Sequence, residues 1–263
     1  MRLSRGCGGT LVSSKHVITA AHCVEILCTG GKAMPAHQLS IKIGYHHLEG
    51  HDQTFLPKKK VQVKNIILHD DYKGACDVFE PNDIAILELE EELDLNTYTP
   101  ACLARKTDNN RFAGLTATVA GWGALDKRRR TEVPHEVEIP VVSSSECARK
   151  FWMFGDSDKS KHGSQLCAAS RYYGNGKGAF KVSACSQMLK YRLNMIIPQG
   201  DSGGPLTYKL GDQHVLIGDV SGGKSVPGYM NVYGDIAYFR DWIDKNLSGA
   251  KYCSNRGPNS SSK

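Results

Sequence analysis

The sequence lacks several features that would each indicate a class of protein. It has no apolar run of about 18 residues, the length that a helix needs to span a bilayer, so a membrane-spanning role is not indicated. It has no Cys-x-x-Cys pair, which disfavours the common zinc and dithiol redox sites. Two basic runs, at 58–60 and 127–130, have no aromatic residues among their charges, so we interpret them as solvated loops and not as nucleic-acid sites.

What is present is typical of a folded globular protein. Of the 263 residues, 40% are hydrophobic and 23% are charged, and the net charge of +6 is modest. Such a balance argues against a wholly disordered chain. The length is sufficient for a full core, whether in one large β domain or in two small ones.

Nine cysteines are many for a cytosolic chain of this size. Without a metal-binding spacing, a disulfide framework is the better interpretation, and it indicates an oxidising compartment. The first residues, Met-Arg-Leu-Ser-Arg-Gly-Cys, contain no apolar core of the kind that a signal peptide has. We therefore expect a secreted, extracellular protein whose signal peptide lies upstream of Met1.

Most of the chain is predicted to form short strands separated by turns, so the fold class is all-β. The clearest strand patterns lie at 39–45, 61–68, 84–89 and 116–120. Helical patterns cover 143–154 and 235–247. The apolar face of the second helix consists of Ile236, Phe239, Trp242 and Ile243. We expect that helix to dock on a sheet, and the residues from 250 to 263 to form a flexible tail that is loose apart from Cys253.

Three segments carry chemistry when they are taken together. His22 follows Thr-Ala-Ala at the end of a strand, and Asp83 precedes an apolar strand in which its carboxylate would be partly buried and need a hydrogen-bond donor. An imidazole is one such donor. Ser202 lies in Gly-Asp-Ser-Gly-Gly-Pro-Leu, where glycines let the backbone turn sharply and direct consecutive amides at one point. Alone, each segment has an ordinary structural explanation; together they indicate a nucleophilic serine with a base and an orienting carboxylate.

These segments, in the order His, Asp, Ser, resemble those of the chymotrypsin/trypsin family of serine proteases (peptidase S1). Subtilisins and α/β-hydrolases order the same residues differently. Further landmarks similar to those of the family are Cys7-Gly8-Gly9-Thr10-Leu11, Gly121-Trp122-Gly123 and Pro227-Gly228-Tyr229. The resemblance implies two six-stranded antiparallel β-barrels with a C-terminal helix. It places a protease domain at 1–249, with the first barrel at about 1–112, the second at about 113–234 and the helix at 235–247.

The resemblance also implies the role of each residue. His22 is the general base, Asp83 orients it, and Ser202 is the nucleophile of a serine endopeptidase. The amides of Gly200 and Ser202 form the oxyanion hole, and Ser221 donates a hydrogen bond to the triad carboxylate.

Cysteines test the resemblance separately. Cys7 and Cys23 match one family bridge, and Cys147 and Cys167 match another. The positions of a third bridge are occupied by Ala117 and Tyr208, so both halves are missing together. The remaining cysteines, for which the sequence predicts no pairing, are Cys28, Cys76, Cys102, Cys185 and Cys253.

The residues expected to set substrate specificity are Ser183, Ser221, Gly223 and Gly228. Ser183 resembles the residue at the floor of the substrate pocket, and a neutral floor implies a chymotrypsin-like preference for aromatic or large apolar side chains. Gly223 and Gly228 resemble the small residues of the pocket wall. Gly222 stands where the family usually has tryptophan, and the following loop lacks the cysteine that would pair with Cys185. The sequence therefore does not predict the shape of the substrate pocket.

Two departures bear on activity. Between Cys185 and Gly200 the family has one residue and this chain has 14, with the excess at Gln187–Gln199. We expect this stretch to be a retained intron or an error in the gene prediction; a real surface loop is the alternative. The chain also starts just before Cys-Gly-Gly, so the family's activation sequence is absent, and we expect the protein as written to be zymogen-like, with Asp201 unpaired and the oxyanion hole poorly formed.

No cofactor and no metal is required by this chemistry. Residues 48–53 resemble part of the trypsin calcium loop but lack its first acidic ligand, and His46, His47 and His51 do not have zinc-site spacing. The expected partners are protein or peptide substrates and protein protease inhibitors, with no nucleic acid and no membrane, and the expected state is a monomer. Two alternatives remain: a catalytically impaired protease homologue that acts as a binding protein, and an esterase-like hydrolase, which usually shows a Gly-x-Ser-x-Gly elbow.

Overall fold

The structure is a computed structural model. It describes residues 1–4, 6–26, 29–48, 56–74, 81–108, 111–123, 132–153, 163–168, 201–222, 231–250 and 252–253. Several residues singled out by the sequence lie outside these ranges: Cys28, Cys76, Ser183, Cys185, the stretch Gln187–Gln199, Gly200, Gly223 and Gly228.

The first sheet has six antiparallel strands. They are β1 (Arg2–Leu3), β2 (Thr10–Leu11), β3 (His16–Thr19), β4 (Ser40–Ile43), β5 (Lys59–Leu68) and β6 (Ala85–Leu89). Their order across the sheet is β1-β4-β5-β6-β3-β2. In β3 and β6 the pairs Val17–Leu87 and Thr19–Ala85 are directly opposite each other. The Ile84 to Leu87 run that precedes and forms β6 is fully buried, which explains why it is apolar without alternation.

The second sheet contains the remaining strands. They are β7 (Cys102–Leu103), β8 (Thr116–Gly121), β9 (His135–Pro140), β10 (Gln165–Ala168), β11 (Pro205–Leu210), β12 (Gln213–Gly222) and β13 (Asn231–Asp235). Six of them are antiparallel in the order β10-β13-β12-β11-β8-β9, and β7 pairs in parallel with β12. The predicted all-β class with two six-stranded antiparallel sheets is confirmed. Strand β7 lies before the predicted barrel boundary near 112 and pairs with the second sheet, where Ala104 donates its backbone N–H to Leu216 O.

Two short α-helices complete the fold: α1 (Ser144–Met153) and α2 (Arg240–Asn246). The helix predicted from 235 begins five residues later. The Asp235 carboxylate accepts the backbone N–H groups of Ala237 and Tyr238, so these residues form a turn ahead of α2. A carboxylate that satisfies amides in this way favours a turn over a continuing helix. The expected docking is observed, since Ile236, Phe239 and Ile243 are buried in the core.

Buried apolar residues form two clusters, and the larger one spans both sheets. Val12, Ile18, Ile84 and Ile86 come from the first sheet and its loops, yet they pack in the cluster that holds the second sheet. The two sheets therefore share an interface. The ends of β3, β6 and β12 meet there, and it is where the candidate site lies.

Three disulfides join described cysteines. Cys7 pairs with Cys23 and Cys147 with Cys167, which are the pairs that the family resemblance implies. Cys102 pairs with Cys253, across 151 residues of sequence. Two residues of the tail that begins at 250 are therefore attached to the fold. Cys253 is held by its disulfide, and Tyr252 donates its hydroxyl proton to Asp244 Oδ1 at 2.7 Å.

Candidate active site

His22 is placed by a turn and a disulfide. The 3₁₀ turn Ala21–Cys23 directly follows β3, and the bridge from Cys23 to Cys7 fixes the turn to the preceding loop. The His22 ring is half-buried, and its Nε2 lies 3.7 Å from Cys23 Sγ. The ring is thus held between the disulfide on one side and the carboxylate of Asp83 on the other.

Asp83 is buried where β6 begins. Its Oδ2 lies 2.8 Å from His22 Nδ1, and its Oδ1 accepts the backbone N–H of His22 at 2.9 Å. The preceding residue, Asn82, has a φ of 60°, a left-handed conformation that few residues other than glycine adopt. Asn82 is held there in part by its N–H, which donates to Ser164 Oγ at 3.2 Å. Ser164 is a supporting residue that the sequence alone did not indicate.

Ser221 is the third donor to Asp83, and a β-bulge places it there. Between Val220 and Gly222, strand β12 advances two residues while β13 advances one, from Tyr233 to Val232, so Ser221 is the extra residue. A bulge redirects a side chain out of the regular alternation. Ser221 Oγ donates to Asp83 Oδ2 at 2.6 Å, the contact that the resemblance implied.

The electrostatics of the pair favour the charged forms. Burial acts to raise the pKa of Asp83, but the charge of His22 and the hydrogen bonds from His22 and Ser221 outweigh it and hold that pKa below its usual value. Burial acts to lower the pKa of His22, but Asp83, by its charge and its hydrogen bond, and the charge of Glu25 raise it above its usual value. His22 is therefore a stronger base than a free histidine.

Ser202 lies in a turn packed against the histidine loop. Gly203 has a φ of +73°, and a Cβ on it would lie 2.1 Å from Thr19 Oγ1 and 2.9 Å from the backbone nitrogen of Ala20. Gly8 donates its N–H to the Ser202 carbonyl at 2.7 Å. This close approach brings Ser202 beside the residues that precede His22.

Among the described residues no hydrogen bond joins the Ser202 hydroxyl to His22, and Nε2 lies 3.7 Å from the disulfide sulfur of Cys23. Such a bond is often long in a protease without substrate and shortens when substrate binds. The structure thus brings the three predicted triad residues to one place and forms the His22–Asp83 half of the arrangement.

Asp201, next to Ser202, is buried and accepts a backbone hydrogen bond. Its Oδ1 accepts the backbone N–H of Gly123 at 2.7 Å. A Cβ at Gly121 would lie 1.9 Å from Oδ1, so these glycines leave room for the carboxylate alone. Burial raises the pKa of Asp201, and the Gly123 hydrogen bond and the charges of Arg2 and His135 oppose this shift.

The described residues hold one cluster with metal-ligand atoms close together: Cys7, His22 and Cys23. Both sulfurs are joined in a disulfide, so they are not available as thiolate ligands. In His47, one of the histidines weighed for zinc, Nε2 lies 2.6 Å from Glu132 Oε2. No helix among the described residues has the length and apolar character to cross a membrane.

A histidine, a buried aspartate and a serine in a glycine turn, at the junction of two six-stranded antiparallel sheets, define the chymotrypsin-like class of serine proteases. The sequence comparisons agree with the structure. The family model described as Trypsin matches residues 1–243. The chain belongs to the trypsin family.

Individual relatives are similar at about the same level. Trypsin zeta of Drosophila melanogaster is 32% identical over 247 residues, which are 92% of this chain and 74% of the relative. Coagulation factor IX of Cavia porcellus is 28% identical over 243 residues, 90% of this chain and 71% of that protein. The proclotting enzyme of Tachypleus tridentatus is 32% identical over 248 residues, 92% of this chain and 58% of that protein. The last relative is thus considerably longer than the segment that matches.

Proposed function

We propose that the protein is a serine endopeptidase that hydrolyses peptide bonds through an acyl-enzyme. Ser202 Oγ attacks the carbonyl carbon of the substrate, and its proton passes to His22 Nε2. The same proton is then given to the leaving amine as the peptide bond breaks. Water attacks the acyl group by the same route and restores the serine. The observation that supports this proposal is the buried Asp83 carboxylate, which holds His22 through Nδ1 and thereby leaves Nε2 as the base.

Asp83 stays ionised throughout and stabilises the imidazolium that forms, because it accepts hydrogen bonds from the His22 ring, the His22 amide and Ser221. The developing oxyanion is received by the amides of Gly200 and Ser202. Each donor in such a hole contributes about 3 to 4 kcal/mol to transition-state stabilisation. No cofactor enters this mechanism.

The proposed substrates are proteins or peptides cut after aromatic or large apolar residues. This preference rests on the neutral side chain of Ser183 and on the small residues Gly223 and Gly228, which resemble the floor and walls of the family's pocket. Protein protease inhibitors are proposed as further partners. The three disulfides favour secretion into an oxidising compartment.

Asp201 is proposed to control formation of the oxyanion hole. Its Oδ1 is held by Gly123, and an ammonium group at the other oxygen would fix the charge that burial disfavours. We propose that the protein is zymogen-like and shows little turnover until such an ammonium group pairs with Asp201. Rapid cleavage of a peptide with an aromatic residue before the scissile bond by the protein before that pairing would contradict this proposal.

The direct test of the proposed function is labelling with a serine-directed phosphonate, carried out on the activated protein in which an ammonium group pairs with Asp201. A reaction at Ser202, lost in Ser202→Ala and in His22→Ala, would show that His22 activates the hydroxyl. Ser145→Ala is the matched control, since Ser145 is an exposed serine on α1. A catalytically impaired homologue that acts as a binding protein would remain unlabelled when its folding and disulfides are intact, and that result would overturn the proposal.

A further inference from the structure

A further acid, Asp219, is buried close to the triad. It lies in β12 two residues before Ser221, with none of its surface exposed to solvent. It occupies an otherwise apolar run, Val-Leu-Ile-Gly-Asp-Val, at 215–220. No group of another described residue makes a hydrogen bond to either of its carboxyl oxygens. A buried acid in such surroundings needs a partner or must lose its charge.

The strand register identifies the partner. Asp219 is directly opposite Gly234 of β13, and Gly234 is directly opposite Gln165 of β10. Directly opposed residues point to the same face of a sheet, so the side chains of Asp219 and Gln165 flank a residue that has no side chain. Gln165 is 5% exposed, and its amide oxygen and nitrogen also have no hydrogen-bond partner among the described residues.

Gly234 provides the space for contact. A Cβ at Gly234 would lie 2.4 Å from Asp219 Oδ1, so the carboxyl group already occupies the position that a side chain would take. Neighbouring strands are about 4.8 Å apart, a distance that the long glutamine side chain covers from the other side. Phe239 lies beside the space over Gly234, with its Cε2 3.5 Å from the position that a Cβ of Gly234 would take. Phe239 is apolar, and the Asp219 carboxyl and the Gln165 amide are the two buried polar groups that lie on either side of Gly234 without a hydrogen-bond partner among the described residues.

The charge of Asp219 follows from its neighbours. Asp83 is the charged group that acts on it among the described residues, and Gln165, Gly234 and Phe239 carry no charge. Asp83 accepts three hydrogen bonds, whereas the Asp219 carboxyl accepts none from any other described residue, so two negative charges would be stabilised very unequally. Burial, followed by the charge of Asp83, raises the pKa of Asp219 well above its usual value.

We propose that Asp219 and Gln165 form a hydrogen-bonded acid–amide pair across Gly234, in which Asp219 is a neutral carboxylic acid. Its O–H donates to Gln165 Oε1, and its carbonyl oxygen accepts from Gln165 Nε2. A carboxylic acid and a primary amide each offer one such donor and one acceptor, so the pair satisfies all four buried groups. The pair links β10 to the segment of β12 that carries Ser221, and it keeps a second negative charge away from Asp83.

The test uses the folded full chain and does not depend on catalysis. Asp219→Asn keeps the shape and the pairing but cannot ionise. In the parent protein the unfolded chain loses a proton above about pH 4 that the folded chain retains, so its stability falls as pH rises. The denaturation midpoint of Asp219→Asn should therefore rise relative to that of the parent between about pH 4 and about pH 8. A difference that is constant with pH, or that changes in the opposite direction, would overturn the proposal.

Two further readouts separate pairing from ordinary packing. Infrared spectra at about pH 8 should contain the carbonyl band of a neutral carboxylic acid that disappears in Asp219→Asn. In a double-mutant cycle, Asp219→Val and Gln165→Met should each lower the midpoint, and the double variant should lose less than the sum of the two. Absence of the band, or additive losses, would refute the pair. If Asp219→Val does not fold, the infrared and pH comparisons with Asp219→Asn still test whether Asp219 is a neutral acid.

Discussion

Two buried carboxyl groups near the nucleophile, Asp83 and Asp201, have pKa values that are shifted in opposite directions. Asp83 receives three donors and its pKa is lowered, whereas Asp201 receives a backbone donor and its pKa is raised. Both groups are buried, and the difference lies in the hydrogen bonds that each accepts and in the direct contact of Asp83 with the His22 ring at 2.8 Å. At the scale of the residue, the surroundings of each acid determine which one carries a stable charge.

The His22–Asp83 pair makes stability depend on pH in a defined window. The raised pKa of His22 means that its contribution to stability is complete below about pH 6.5 and is lost as pH rises through the folded-state pKa. The lowered pKa of Asp83 means that its contribution is complete above about pH 4 and is lost as pH falls through the folded-state value. The pair therefore stabilises the fold most between about pH 4 and about pH 6.5.

A prediction for His22 follows from the direction of its shift. In the activated enzyme, kcat/KM should rise with pH through a single ionisation above about 6.5, because only neutral His22 accepts the serine proton. Asp83→Asn should move that ionisation to lower pH, since burial then acts without the opposing charge, and should reduce kcat on the order of 10⁴-fold, the loss known for this substitution in the chymotrypsin template. A titration of the His22 ring by NMR checks the shift without substrate. An ionisation below about 6.5 in the unsubstituted protein would contradict the assigned electrostatics.

At the scale of the element, turns and bulges position the site more than strands do. The bulge in β12 provides Ser221, the turn after β3 provides His22, and the turn before β11 provides Ser202. Each lies at the end of a strand whose register is fixed by a buried face. The strands hold the interface, and the irregular residues direct side chains into it.

Gly203 gives a test of the turn that carries the nucleophile. Gly203→Ala should destabilise the protein by about 1 kcal/mol for its left-handed backbone and by a further 1 to 3 kcal/mol or so for overlap with Thr19 and Gly8. It should also move Ser202 away from His22 and lower activity strongly. Gly211→Ala is the matched control, since Gly211 has a φ of +59° but nothing within 4 Å of its Cβ position. Denaturant unfolding and turnover would be measured for both.

Equal losses of stability in Gly203→Ala and Gly211→Ala would show that backbone strain alone matters there. The close approach of Gly203 to Thr19 would then be unimportant for holding Ser202.

At the scale of the whole molecule, the interface between the two sheets and the long-range disulfide hold the site together. Cys102 lies in β7 on the second sheet, and Cys253 follows α2 near the end of the described chain. Tyr252 and Arg240 fix the same segment, because the Tyr252 hydroxyl contacts Asp244 and Arg240 lies 5.4 Å from the Tyr252 ring centroid. These contacts close the second sheet around its C-terminal helix.

The disulfides should differ in their contribution to stability. Cys102 and Cys253 are separated by 151 residues, and Cys147 and Cys167 by 20. In the chain-entropy description, removal of the longer loop costs roughly 2 kcal/mol more than removal of the shorter one. The double variants Cys102→Ala/Cys253→Ala and Cys147→Ala/Cys167→Ala would be compared by denaturant unfolding. Equal losses, or a larger loss for the shorter loop, would contradict the predicted order.

The sequence by itself determined the fold class and the family, and it predicted the three triad residues. Apolar alternation follows directly from which strand faces are buried, and the segments around His22, Asp83 and Ser202 need particular residue types at each position. Cys7 and Cys23 were matched for the same reason. These features are local, so they can be read along the chain.

Tertiary structure decided what depends on distant residues meeting. The pairing of Cys102 with Cys253, the place of β7 in the second sheet, and the support that Ser164 gives to Asn82 all join residues far apart in sequence. The burial of Asp219 opposite Gly234 and Gln165 is of the same kind. In the sequence, Asp219 is indicated only as an acid within an apolar run. Its pairing with Gln165 depends on the strands that folding places beside it.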